Sequence, residues 1–379
     1  MASQPIDFTE LAVPGVRGLA PYEPGKPMAE LRREYGVDDI IKLASNENPL
    51  GPSPAAVEAV QRSAGDLHRY PDGNGFELKA ALAAHHGVAP ERITLGNGSN
   101  DVLALVALAF LGPGRVSVFS AHAFAVYPIV TCAAGATARV VPALGPETAQ
   151  PHGHDLEAMA AALDGDTRVV FVANPNNPTG TWVDEDALGA FLDRVPPEVI
   201  AVVDEAYFEY AAEEDGFPDA SRWLDRYPNL VVTRSFSKVH GLGGARVGYA
   251  LSHPGVADLL NRVRQPFNCS APAQAAALAA LGDRDHVARS VALNREQRAW
   301  LRGELERMGL AVLPSAGNFL TFQMGDASAE VNEGLLRAGV IVRPVDNYGL
   351  PGAIRVTVGT AAENRRFITA LERQRTRAA

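Results

Sequence analysis

The sequence predicts an α/β protein: a large domain with a central, mostly parallel seven-stranded sheet flanked by helices, and a second, smaller α+β domain. Three observations carry this. Seven short, β-branched apolar runs lie between residues 92 and 251, amphipathic stretches alternate with them, and beyond Pro272 the texture changes to long Ala-, Leu- and Arg-rich helices. Most of the runs are too apolar to alternate, as expected of strands covered by helices on both faces.

The strands fall at 92–95, 116–119, 138–141, 169–173, 200–203, 230–233 and 247–251. Helices are expected at 100–111, 156–163 and 185–194, the first opening on Gly98-Ser99-Asn100-Asp101, a good capping and anion-binding start. Further helices are expected at 272–281, 285–308 and 361–373, with short strands before the last. Residues 19–50 are rich in Pro and Gly with little periodicity, so they are expected to wrap over a surface or a subunit interface. The expected division is 1–45 as an N-terminal arm, 46–270 as the large domain and 271–379 as the small one. No internal repeat or low-complexity tract occurs.

A chain of 379 residues suits two domains around a shared cleft. With 47% hydrophobic and 21% charged residues it reads as a folded soluble protein and not as a disordered or fibrous one. The formal net charge of -10 argues against a broad basic face for nucleic acid, so an anionic ligand must meet local arginines. Cys132 and Cys269 lie far apart with no C-x-x-C, which points to a reducing cytoplasm and away from a zinc site. The first seven residues lack the pattern of a signal peptide, and no apolar run is long enough to cross a bilayer.

The most specific string is Ser235-Phe236-Ser237-Lys238-Val239-His240-Gly241-Leu242-Gly243-Gly244-Ala245-Arg246, set between two apolar strands. A lone lysine is most often a surface charge. A lysine between hydroxyls in a glycine-rich turn is not ordinary. Two further strings close strands: Asn174-Pro175-Asn176-Asn177-Pro178-Thr179-Gly180 and Asp204-Glu205-Ala206-Tyr207. In an open α/β sheet ligands lie beyond the carboxyl ends of the strands, so these side chains can converge.

These strings resemble the cofactor-lysine motif and its companions in the fold-type-I aminotransferases. The resemblance implies pyridoxal 5'-phosphate, held by Lys238 as a Schiff base. The released amine then serves as a general base. Asp204 would face the pyridine nitrogen, and Asn174 and Tyr207 would hold the ring's phenolate oxygen. Gly98, Ser99, Asn100, Ser235, Ser237 and Arg246 would cradle the cofactor phosphate, with Phe124 stacked on the ring.

Within that superfamily the chain resembles the histidinol-phosphate aminotransferase family over nearly its whole length. The likeness rests on residues 19–27, 43–51, 69–73, 339–344 and 354–359. It implies that Arg343 and Arg355, helped by Tyr22, grip the substrate phosphate, and that Asn46 and Asn174 also meet substrate. It implies too that Tyr70 reaches the cofactor phosphate of a neighbouring subunit in a homodimer. The implied reaction is amino transfer between L-histidinol phosphate and 2-oxoglutarate, in histidine biosynthesis. Aromatic aminotransferases and threonine-phosphate decarboxylases share the scaffold, and a non-catalytic module that kept the fold is a further alternative.

Other features have plainer readings. Residues 96–101 start like a dinucleotide fingerprint but lack its third glycine. His152-Gly153-His154-Asp155 is expected to be a solvated loop and not a metal site, and no metal is expected elsewhere. His85-His86 is read as a helix end, the 285–308 helix as a solvated face, and the cysteines as apolar fillers.

Overall fold

The computed structural model describes residues 6–22 and 24–378. Residues 1–5 of the N-terminus read above, Glu23 within the 19–27 string, and Ala379 lie outside the described residues. The strands are β1 (Ile41–Lys42), β2 (Ile93–Gly96), β3 (Val116–Ser120), β4 (Thr137–Val141), β5 (Thr167–Ala173), β6 (Ile200–Asp204), β7 (Leu230–Ser235), β8 (Gly248–Ser252), β9 (Phe319–Gln323), β10 (Val340–Ile341), β11 (Arg343–Pro344) and β12 (Ala353–Thr357).

All seven expected runs join one sheet, in the order β2-β8-β7-β6-β5-β3-β4. Only β8 runs against its neighbours. Along β5 the side chains divide by turns. Val169, Phe171 and Ala173 enter one core with helices Ser99–Phe110 and Pro254–Val263, while Val170 and Val172 enter the other with helices Phe76–His86 and Ala271–Gly282. Burial on both faces is why these strands show no polar alternation. Each fully buried Leu or Phe contributes on the order of 1.5–3 kcal/mol.

A separate core lies on the three-stranded sheet β11-β12-β9, where Leu320, Phe322, Ile354 and Val356 meet Leu301, Leu335 and Phe367. Its helices are Arg284–Arg307, Ser328–Arg337 and Ala361–Ala378.

The early segment does more than wrap a surface. Helix Met28–Tyr35 buries Leu31, and β1 pairs in parallel with β10, so the segment is built into the smaller core. Leu31 is the helix's one buried residue and β1 is only two residues long, too little for any period to register.

The site depends on how the ends of β5, β6 and β7 align. In register, Ala173 lies beside Asp204 and Asp204 beside Thr233, so the three carboxyl ends open at one level. On the reverse face of β6 and β7 a buried ion pair holds that level. Arg234 Nε donates to Glu205 Oε2 at 2.7 Å and its Nη2 to Asp219 Oδ1 at 2.9 Å, with the guanidinium 3.4 Å from the centre of the Phe208 ring. Glu205 Oε1 accepts the Ala220 N–H at 3.0 Å. Arg234→Met would strand Glu205 without its cation and is expected to lower stability by about 3–5 kcal/mol in urea unfolding. The double variant Glu205→Gln/Arg234→Met is expected to recover part of that loss.

Candidate active site

Beyond the ends of β5, β6 and β7 a cleft opens, closed on its far side by the smaller core and the N-terminal segment. Its lining includes Tyr22, Asn46, Ser99, Asn100, Phe124, Asn177, Asp204, Tyr207, Ser235, Ser237, Lys238, Arg246, Arg343 and Arg355. Residues spread over more than 330 positions of sequence thus meet in one cavity.

Asp204 forms part of the floor. It is 5% exposed, and each carboxylate oxygen already accepts one protein hydrogen bond: Tyr127 Oη donates to Oδ2 at 3.0 Å and Thr233 Oγ1 to Oδ1 at 2.8 Å. Burial pushes its pKa up, against the pull of those two donors, the Ala206 N–H and the Lys238 cation. A cationic ring N–H in the cleft would relieve that burden. Tyr127 is fixed by stacking on Phe171, with ring centres 4.7 Å apart and planes 6° from parallel.

At one end the chain makes an anion cradle. Helix Ser99–Phe110 has glycine at its N-cap, so no side chain occupies the first-turn N–H groups. Gly98 has φ +83, and a Cβ there would lie 2.2 Å from Arg246 Nη2; a Cβ on Gly248 would lie 2.5 Å from the Ser99 nitrogen. Arg246 Nη1 donates to Ser237 Oγ at 3.2 Å and to the Gly243 carbonyl at 3.0 Å. Hydroxyls, helix N–H groups and a guanidinium converge there, a donor set that fits a phosphate. Lys238 Nζ stands 5.2 Å from the centre of the Tyr207 ring.

At the other end Arg343 and Arg355 are direct partners across the β11–β12 pair. Arg355 is 6% exposed and donates from Nη2 to the Ala44 carbonyl at 2.7 Å; its Nη1 bonds Asn177 Oδ1. Its Nε is buried without a protein partner. Arg343 Nη1 donates to the Pro24 carbonyl at 3.1 Å.

Two expectations need correction. Asn174 is fully buried and does not line the cleft: its amide donates to the Val183 carbonyl and accepts the Val183 N–H, both at 3.0 Å. Both ends of the carboxamide are turned to the Val183 backbone, so the side chain is held away from the cleft. Asn177, three residues on in the same string, lines the cleft instead. Tyr127 was also missed, although it lies three residues after Phe124; a tyrosine in an apolar helix, whose hydroxyl must find an acceptor, was the available signal. Tyr70 is outside the cleft, 82% exposed and stacked on Phe267. His154 is not solvated as expected: it is 4% exposed, with Nε2 2.8 Å from the Ala173 carbonyl at the end of β5. Among the described residues no three His, Cys, Asp or Glu side chains are grouped to hold a metal ion, and no helix is long and apolar enough to cross a membrane.

The model of the family "Aminotransferase class I and II" matches residues 38–371. The chain belongs to the class I and II aminotransferases. It is 56% identical to histidinol-phosphate aminotransferase 2 of Methylococcus capsulatus, over 97% of this chain and 99% of that one. It is 57% identical to the enzyme of the same name from Pseudomonas aeruginosa, over 96% and 98%. Among solved structures, histidinol-phosphate aminotransferase from Sinorhizobium meliloti in complex with pyridoxal-5'-phosphate superposes with a TM-score of 0.87 at 30% identity, covering 97% and 98% of the two chains. As an aminotransferase of this family the chain uses pyridoxal phosphate, and the cleft's phosphate cradle and buried carboxylate fit that group.

The buried histidines make a pH prediction. Burial lowers the pKa of His154 from 6.5 to about 4 and that of His240 likewise to about 4, so both are neutral in the fold and gain protons more readily when unfolded. Their contribution is full above about pH 6.5 and is lost as pH falls toward about 4, by roughly 3 kcal/mol for each group. Urea unfolding between pH 7.5 and 5 is expected to show this loss, with a shallower slope in His154→Gln.

Proposed function

We propose that the chain catalyses reversible amino transfer between L-histidinol phosphate and 2-oxoglutarate, giving imidazole-acetol phosphate and L-glutamate, in histidine biosynthesis. The observation that carries this is the pair Arg343–Arg355, matched across two strands and facing the same cleft as Lys238, with Tyr22 alongside. Paired guanidiniums suit a phosphate or a carboxylate, and so both substrates in turn.

Bound pyridoxal phosphate supplies an aldehyde that can take up an amino group and a protonated ring that withdraws electrons from the bond being broken. In this reading Lys238 Nζ holds the cofactor covalently at rest. The Lys238 amine, when free, would be the group placed to carry a proton at the substrate α-carbon. Asp204 keeps the ring nitrogen protonated, and Tyr207 and Asn177 donate to the ring oxygen. Ser99, Asn100, Ser235, Ser237 and Arg246 hold the phosphate, and Phe124 packs against the ring face. Arg343, Arg355 and Tyr22 orient the anionic end of the substrate.

The active form in this reading is a cytoplasmic homodimer, with Tyr70 completing the phosphate cradle of a second copy. Leu67, Tyr70, Phe76 and Phe267 are exposed at 66%, 82%, 75% and 44%, with the Tyr70 and Phe267 rings stacked, apolar surface that a second copy would cover.

Purified protein is expected to be yellow, with a band abolished by borohydride and absent in Lys238→Ala; a colourless protein that cannot be reconstituted would contradict the assignment. Arg355→Ala is expected to lower kcat/KM for histidinol phosphate about a hundredfold. Comparison with phenylalanine in parallel separates the substrates, since equal or better use of phenylalanine would favour an aromatic aminotransferase.

A further inference from the structure

Asn46 was expected to meet substrate, and it does line the cleft, but its polar atoms are committed within the protein. The residue is 1% exposed and left-handed at φ +55, a conformation asparagine tolerates better than most side chains. Three bonds hold it from the smaller core. Its N–H donates to Thr357 Oγ1 at 2.9 Å, the Thr357 hydroxyl donates to Asn46 Oδ1 at 3.2 Å, and Asn318 Nδ2 donates to the Asn46 carbonyl at 3.0 Å. Its Nδ2 then lies 2.8 Å from Tyr207 Oη.

The donors in this chain run in one direction. Thr357 Oγ1 accepts from a backbone N–H and gives its one proton to Oδ1 of Asn46. That turns the amide's NH2 end toward Tyr207. An amide nitrogen cannot accept, so the Tyr207 oxygen must, and the single phenolic proton points elsewhere. The Tyr207 ring cannot swing away, being 3% exposed and set edge-on to Phe319 with centres 5.4 Å apart.

We propose that Asn46 is a positioning residue: by donating to Tyr207 it obliges the tyrosine to give its own proton to the ring oxygen of the bound cofactor. This rests on the reading of Tyr207 as a donor to that oxygen. An acceptor at position 46 would draw the phenolic proton out of the cleft. The other titratable and charged groups that face Tyr207, namely Lys238, Arg355, Tyr127, Tyr210 and Tyr348, are unchanged by a substitution at Asn46.

The test is the pH midpoint of the visible absorbance of holoenzyme without substrate. An oxygen that loses a donor holds negative charge less well, so the midpoint rises. Asn46→Asp keeps the shape, tolerates the positive φ and can only accept when ionised; its midpoint is expected to rise by about one to two pH units. Asn46→Gly, at ease with positive φ, removes the donor without adding charge and is expected to give a smaller rise. Both shifts are expected to shrink by more than half in a Tyr207→Phe background, which separates the relay from a through-space effect of the new carboxylate. Equal shifts in both backgrounds, or no shift in either Asn46 variant while Tyr207→Phe moves the midpoint, would overturn the role of Asn46. No movement in Tyr207→Phe itself would instead overturn the reading of Tyr207.

Discussion

A carboxylate taken out of water at the floor of the cleft sets the terms for everything around it. Asp204 is buried at the end of β6, and two hydroxyls, from Thr233 and Tyr127, meet one face of its charge without neutralising it. Ionised carboxylates in such places are costly unless paired. The neighbouring elements follow from that need: Phe171 stacks on Tyr127 to aim one donor, β7 brings Thr233 alongside in register, and Lys238 lies close enough to lower the Asp204 pKa. A positively charged ring in the cleft would complete the set.

The sheet can place such a group because its own geometry is held from behind. Glu205 and Arg234 each adjoin a cleft residue, Asp204 and Ser235, and point to the opposite face by the two-residue period of a strand. Their pairing therefore fixes the relative height of two strand ends without entering the cleft.

Much of this was legible in the sequence. Strands such as β3, β5, β6 and β7, covered on both faces, left a continuous apolar signal, and all seven runs became the sheet. The motifs at Lys238, Asp204 and Arg246 pointed to one cleft because strand ends in a parallel sheet share one side. Asn174 misled for a physical reason: it and Asn177 occupy one short loop, and sequence alone does not say which amide turns to the Val183 backbone and which to the cleft. His154 looked like a loop residue because nothing local announces that its ring will seek the Ala173 carbonyl. The early segment hid its role because its contacts, such as Ile41 with Val340, span nearly 300 positions.

The antiparallel course of β8 has a mechanical consequence. Lys238 and Arg246 lie on the short connection, residues 236–247, that joins the antiparallel neighbours β7 and β8, so short-range chain geometry sets the spacing between them. Arg343 and Arg355 ride on a different sheet with its own interior. A hinge between the two bodies would thus widen or narrow the reach from Lys238 to Arg355 and leave the distance from Lys238 to Arg246 untouched. In the proposed reading, such a hinge would loosen the hold on one guest and keep the grip on the other.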